Sequence, residues 1–345
     1  MGGEIGLLFG GPARERLVSV ASAQNVATLL PSPRCFFWAV SGGVFELTVE
    51  ELVGHARPFE VELAPRRPAR WPDIKAALAD WAERGLLLLL ALHGQMVEDG
   101  VLQGWLEERG IPFTGSGSRA SRDAFDKARA REIARAAGLR VAEATVVDGR
   151  DVPRSRARVL DLLERFSRVV LKPVADGSSM GLRFVASGRE LEEALVAIKD
   201  DAHPYLAEAF VSGTELTVGV IDDEGDVLRA LPCSEVRLPE GGAFGYEAKY
   251  LGRGAREITP AEVAPSVARA AQEAALVAHR ALGCEGYSRT DLIVDAEGPV
   301  YLETNTLPGL TKASFVPQQL AAAGIPIERF LARQIALARR RARGG

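Results

Sequence analysis

Two short stretches, Ser288-Arg289-Thr290-Asp291 and Leu302-Glu303-Thr304-Asn305, decide how this chain is read. They belong to β-rich runs, Tyr287 to Val294 and Val300 to Glu303, joined by Asp295-Ala296-Glu297-Gly298-Pro299, whose residues favour a turn. A β-hairpin follows. With Val294 opposite Val300, Asp291 falls opposite Glu303 and Arg289 opposite Asn305, and alternation turns all four side chains to one face. Two carboxylates so placed repel each other unless a cation lies between them. Magnesium takes one or two carboxylates and completes its shell from phosphate oxygens, so Asp291, Glu303 and Asn305 are metal-ligand candidates. The alternative is a solvated acidic hairpin. Against it stands Thr306-Leu307-Pro308-Gly309-Leu310-Thr311, a glycine-bearing turn running straight off the ligand strand, whose amides face the same space.

The chain has 345 residues, 47% hydrophobic and 26% charged, which predicts two or three globular domains rather than one core. A net charge of -4 argues against a nucleic-acid partner. The one arginine-rich run, Arg339-Arg340-Arg341 with Arg343, ends a predicted terminal helix, where cations suit the macrodipole. Cys35, Cys233 and Cys284 show no metal-binding spacing and fit buried thiols in a reducing, cytoplasmic setting. The apolar run Ile5 to Phe9 is too short for a signal peptide. Leu86 to Leu92, the longest, falls far short of the roughly 20 residues that cross a bilayer. It reads as a parallel strand buried on both faces, and no membrane partner is expected.

In chain order, a strand from Ile5 to Phe9, the turn Gly10-Gly11-Pro12 and a helix over Ser19 to Leu30 open an α/β domain, with Glu15 in the turn. A helix over Trp71 to Glu83 precedes the leucine strand, which delivers His93-Gly94-Gln95-Met96-Val97-Glu98-Asp99-Gly100. A helix over Val101 to Arg109 and a short strand at Ile111 to Thr114 complete this part. Gly115-Ser116-Gly117 marks a boundary. An amphipathic helix then runs from Asp126-Lys127 to Ala137, with Gly138 as its stop. Strand Val169 to Leu171 ends in Lys172-Pro173, followed by Asp176-Gly177-Ser178-Ser179-Met180-Gly181. A lysine at a strand end before a glycine- and serine-rich turn is a phosphate-cradle pattern, distinct from a P-loop because the lysine comes first. Strands at Tyr205 to Phe210 and Glu215 to Ile221, a loop at Pro239 to Gly245 fit to close over a site, and helices over Ala261 to Leu282 and Pro326 to Arg343 complete the reading.

In this order the pieces resemble the D-alanine:D-alanine ligases of the ATP-grasp superfamily, from Gly10 to about Ala322. The resemblance rests on Gly10-Gly11 with Glu15 and Val18-Ser19; Leu92-His93-Gly94 with Glu98-Asp99-Gly100; Gly104 through Gly117; and Asp126-Lys127. It continues in Lys172-Pro173 with Gly177-Ser178-Ser179 and Gly181; Tyr246-Glu247-Ala248-Lys249-Tyr250; Arg289 with Asp291; and Glu303, Asn305-Thr306, Pro308-Gly309, Thr311 and Ser314. It implies an α+β ATP-grasp fold: an N-terminal α/β domain over residues 1–116, a central domain over 117–209 and a C-terminal domain over 210–345, the last two gripping ATP between antiparallel sheets.

The resemblance also implies roles. Lys127, Lys172 and Lys249 meet the phosphates. Glu208 accepts from the adenine amino group and Glu215 from the ribose, while Ser178 and Ser179 cover the γ-phosphate. Two magnesium ions, or manganese in their place, sit on Asp291, Glu303 and Asn305. Glu15 holds the first D-alanine, with His93 and Glu98 beside it; Arg289 and the Gly309 amide stabilise the oxyanion; Arg289 and Ser314 clamp the second carboxylate. Glu15, Ser178 and Tyr250 form the set through which a proton leaves, and Tyr250 favours an amine as second nucleophile. A homodimer is implied. The chain departs from the family at Met96-Val97, Phe244, Gly245, Phe315 and the stretch from Cys35 to Arg70, which leaves room for a related ligase of other amino acids. A non-catalytic ATP-binding sensor is the alternative from another class.

Overall fold

The first sheet is built on Ile5–Gly10 (β1), flanked in parallel by Arg34–Trp38 (β2) and Leu87–Leu92 (β4), with Val44–Leu47 (β3) antiparallel to β2 at the edge. In this computed structural model the described residues are 4–175, 181–201, 203–237 and 256–344. Strand β4 is buried at every position. Its leucines alternate between two cores: Leu87 and Leu89 join Leu7 and Phe9 on one face, and Leu88 and Leu90 join Leu8 and Trp81 on the other. That is the doubly covered parallel strand its unbroken apolar run calls for.

Helix α1, Arg16–Ala27, starts earlier than expected and ends before Leu30. Ser19, expected near its start, lies inside it: Ser19 Oγ accepts from the Gly10 amide at 2.7 Å and donates to Ala91 O at 2.5 Å, tying β1 to β4. Helices Val49–Val53 (α2), Ile74–Glu83 (α3) and Val101–Glu108 (α4) follow. Helix α3 begins after Trp71 because Asp73 caps it, accepting from the Ala76 amide. The strand expected at Ile111 to Thr114 is reduced to one bridge, Leu88 to Phe113.

Helices Ser118–Phe125 (α5) and Lys127–Ala136 (α6) lead to Arg140–Val141 (β5). The second sheet comprises Ala144–Val147 (β6), Val169–Pro173 (β7), Arg183–Val185 (β8) and Tyr205–Ala209 (β9), in the order β6-β9-β7-β8 and antiparallel throughout. Helices Val152–Phe166 (α7) and Gly188–Ile198 (α8) cover one face through Val159, Leu162, Leu191 and Leu195 against Val169, Leu171 and Ala207. By alternation, Val170, Lys172 and Glu208 line the other face.

The third sheet contains Thr214–Asp222 (β10), Leu228–Ala230 (β11), Ser234–Arg237 (β12), Arg256–Ile258 (β13), Tyr287–Asp295 (β14) and Gly298–Asn305 (β15). Its order is β13-β12-β10-β14-β15-β5, with β11 on β10, and β5 runs parallel to β15. Helix α9, Pro265–Ala281, starts later than expected, at Pro265 in its first turn, and packs small residues on Leu216, Val218, Leu292 and Val294. The opposite face is polar at one end, with Glu215, Thr217 and Asp291. At the other end it is apolar, where Ile221 and Tyr287 meet helices Phe315–Ala322 (α10) and Ile327–Gly344 (α11). No helix among the described residues is long and apolar enough to cross a membrane.

Candidate active site

The β14–β15 hairpin pairs Asp291 with Glu303 and Arg289 with Asn305, as expected, but by a different route. Its turn is tighter: Asp295 pairs with Gly298 and Val294 with Pro299 rather than Val300. The Asp295 carboxylate accepts from the Glu297 amide at 2.8 Å and fixes that turn, while Arg140 grips the same carboxylate at 2.8 and 3.0 Å. A β-bulge then leaves Leu302 without a partner between the pairs Leu292–Tyr301 and Asp291–Glu303, which restores the site register.

Each hairpin carboxylate has a side-chain cation beside it. Arg289 forms a two-pronged pair with Asp291 at 3.0 and 2.8 Å, and Thr217 on β10 donates to the same carboxylate at 2.8 Å. Lys127 lies 3.5 Å from Glu303. The repulsion expected between the two carboxylates is thus relieved by side chains. Asn305 Oδ1 accepts from the Leu307 amide at 2.7 Å and shapes the turn leading to Gly309.

Lys127 also joins the two antiparallel sheets, because its backbone amide donates to Val174 O, just beyond Lys172, at 3.0 Å. Lys172 Nζ lies 2.5 Å from Glu208, whose other oxygen is held by Arg131. Arg131 stands one helical turn beyond Lys127, also donates to Ala142 O, and is buried with Glu208. A buried triad of this kind holds its geometry because removing one partner strands a charge at a cost of about 3–5 kcal/mol. The carboxylate that the resemblance assigns to adenine is here the clamp on Lys172. Sequence reading missed Arg131 and Thr217; the signal for the arginine was its i+4 spacing from Lys127 on a capped helix. Glu215 precedes Thr217 along β10 on the Asp291 face. Ser178, Ser179, Lys249 and Tyr250 lie outside the described residues, as do Phe244, Gly245 and the loop from Pro239.

A third group gathers at the start of α1. Glu15 and Glu98 are buried, and His93 Nδ1 lies 3.6 Å from Glu98 Oε1. Glu98 Oε1 accepts no hydrogen bond from any described residue. On the far side of the ring, Nε2 is 3.3 Å from Ser22 Oγ, a third residue that sequence reading missed. Beyond the hairpin, Ser314 Oγ bonds Thr311 Oγ1 at 2.8 Å at the start of α10, and a Cβ on Gly309 would meet Ser314 Oγ at 2.6 Å. Phe315 is buried and stacks under the Arg289 guanidinium, 5.9 Å away.

A parallel α/β unit followed by two further, largely antiparallel sheets, with Lys127 bonded through its amide to the strand end of one and through its side chain to an acidic residue of the other, defines an ATP-grasp protein. Comparison with known proteins narrows the class. Family models for the D-ala D-ala ligase N-terminus and C-terminus match residues 4–116 and 133–336. The chain is 38% identical to the D-alanine–D-alanine ligase of Syntrophobacter fumaroxidans, covering 97% of each chain. It is 36% identical to that of Leptospira interrogans serovar copenhageni, over 94% of this chain and 95% of the relative. Among solved structures it resembles the VanG D-Ala:D-Ser ligase of Enterococcus faecalis, with TM-score 0.79, 25% identity and coverage of 98% and 100%. It also resembles the Bacillus anthracis D-alanine–D-alanine ligase complexed with ATP, with TM-score 0.73, 25% identity and coverage of 100% and 99%. The chain belongs to the D-alanine–D-alanine ligase family.

Proposed function

We propose that this chain joins two D-alanines at the expense of ATP, through an acyl phosphate, to make the dipeptide of peptidoglycan precursors. The observation that carries the reading is the bridge made by Lys127, which binds the Glu303 carboxylate through its side chain and the Lys172 strand end through its amide. Phosphate lysines and an acidic hairpin thereby share one space.

A carboxylate is a poor electrophile and an ammonium is no nucleophile, so the reaction needs two steps. Glu15 holds the ammonium of the first D-alanine, with His93 and Glu98 alongside, so that its carboxylate oxygen attacks the γ-phosphorus and the bond to ADP breaks. Lys127, Lys172 and Lys249 neutralise the phosphates, Ser178 and Ser179 cover them, and Glu208 and Glu215 fix the nucleoside. In the second step the amine of another D-alanine, its carboxylate held by Arg289 and Ser314, attacks the acyl carbon. The carbon–oxygen bond to phosphate breaks, inorganic phosphate leaves, and the nitrogen loses a proton through the Glu15, Ser178 and Tyr250 set. Arg289 and the Gly309 amide take up the oxyanion charge.

Asp291, Glu303 and Asn305 fit magnesium. Among the described residues no three His, Cys, Asp or Glu side chains gather into a cage, and two carboxylates with one amide oxygen are the open, hard-oxygen set this ion prefers. Two such ions, or manganese, would supply charge neutralisation at the transferring phosphoryl group. A cytoplasmic homodimer with domains at 1–116, 117–209 and 210–345 completes the reading.

The test is ADP release by purified protein with ATP, magnesium and D-alanine, with the product weighed by mass spectrometry. D-alanine-dependent release with dipeptide is expected. ATP binding without release would leave a sensor module standing, and dipeptide from other amino acids but none from D-alanine would defeat the substrate assignment.

A further inference from the structure

Helix α1 reaches the loop that carries Gly309 through contacts that no role given above uses. Asn25 Nδ2 donates to Leu310 O at 2.8 Å, and the Leu310 amide donates to Ser22 Oγ at 3.2 Å. Both backbone polar groups of the residue after Gly309 are therefore held by one helix from the opposite end of the chain. Ser22 is fully buried and also meets His93 Nε2 at 3.3 Å. One hydrogen-bond order fits these contacts: Leu310 N–H gives to Ser22 and the Ser22 hydroxyl gives to His93 Nε2, while His93 Nδ1 faces Glu98 Oε1 at 3.6 Å, beyond hydrogen-bond reach. The Leu310 side chain is buried in the same core as Ala23 and Val26, which pins the loop from the apolar side as well.

We propose that Ser22 and Asn25 are positioning residues that aim the Gly309 amide at the oxyanion. The inference rests on the reading of Gly309 as an oxyanion donor. A donor of this kind acts only when it is already aimed at the place where charge develops, and a misplacement of about 1 Å costs on the order of 100-fold in rate. Phosphorylation of the first carboxylate makes no use of this amide. Loss of the tether should therefore slow the second step selectively.

The test uses full-length protein carrying Asn25→Ala, the near-isosteric Asn25→Asp, which loses the donor, or Ser22→Ala. Single-turnover reactions with ATP and D-alanine are split between hydroxylamine trapping of the acyl phosphate and mass detection of dipeptide. Hydrogen exchange is followed in a peptide spanning 307–311. Expected are faster exchange at Leu310, trapped hydroxamate within about twofold of the parent, dipeptide formation slowed about 10- to 100-fold, and an unchanged KM for ATP. Unchanged exchange would overturn the tether while leaving the Gly309 reading intact. Equal loss of both half-reactions would mean a merely structural role. Faster exchange with an undiminished dipeptide step would sink the Gly309 reading itself, and the positioning role with it.

Discussion

Gly94 shows how little room the first-substrate pocket leaves. Its φ is +87°, a conformation that L side chains rarely adopt, and a Cβ there would lie 2.6 Å from both Glu15 Oε2 and Ala13 Cβ. Gly94→Ala must therefore push the Glu15 carboxylate from its place. If Glu15 holds the ammonium of the first D-alanine, half-maximal ADP release should need about tenfold more D-alanine, equivalent to about 1.4 kcal/mol, with the KM for ATP unchanged. A rise in both constants together would count against that role. Two residues along, Met96 has a φ of +68°, which puts a side-chain-bearing residue in the left-handed backbone. That conformation costs about 1–2 kcal/mol for a side-chain-bearing residue. It is offset by the bond from the Met96 amide to Asp99 at 2.9 Å, by the Leu102 amide donating to Met96 O, and by packing of its side chain on the Trp81 core. The chain thus makes a left-handed turn in front of Glu98 without a glycine at that point.

The hairpin was legible because its chemistry is local. Alternation and a turn-rich connection place Arg289, Asp291, Glu303 and Asn305 on one face from sequence alone. The bulge was not, since Leu302 carries no sign that it will go unpaired, and the expected register came out right at the site only because a tighter turn and a bulge compensate. What stayed hidden joins residues distant in sequence. Glu208 reaches Arg131, and Asn25 reaches Leu310, through packing that no local pattern records. Helices α7 and α8 and the β2–β3 hairpin were passed over because the reading followed chemistry-bearing motifs, although Asp151 and Ser187 cap the two helices in the ordinary way. The bulge supplies a prediction at this level. Deleting Leu302 removes only the extra residue, so Glu303 follows Tyr301 directly and stays opposite Asp291 as regular pairing continues past Leu292. The side chains from Glu303 onward keep their faces, and what is lost is the local bend and twist of the bulge. Turnover should stay within about tenfold of the parent, with an unchanged far-ultraviolet spectrum. A fall of about 100-fold or more with that spectrum unchanged would show that register alone does not aim Glu303 and Asn305 and that the twist of the bulge is needed.

At the scale of the whole molecule, one core runs from Leu7 and Phe9 of the first sheet to Ile221 and Tyr287 of the third and on to Phe330 and Leu331 of the terminal helix. Chain start and chain end therefore unfold against shared apolar surface, and a weak point in the third sheet is felt widely. Such a point is His279. It is buried on α9, bonded through Nδ1 to Ser288 Oγ of β14 at 2.7 Å, and its Nε2 meets no described partner. Burial disfavours the charged ring and lowers its pKa from 6.5 to about 4. The unfolded chain takes up a proton as pH falls through about 6.5, whereas the folded chain resists until about 4. Stability is therefore fully present above the higher value and is withdrawn between the two, by up to about 3 kcal/mol. Urea unfolding of the parent and of His279→Asn, followed across that interval, should show the parent losing about this much more than the variant as the solution is acidified. Parallel curves would place the acid sensitivity of the fold in its carboxylates instead, among which Asp295 is held below the usual range by its hydrogen bonds to Arg140.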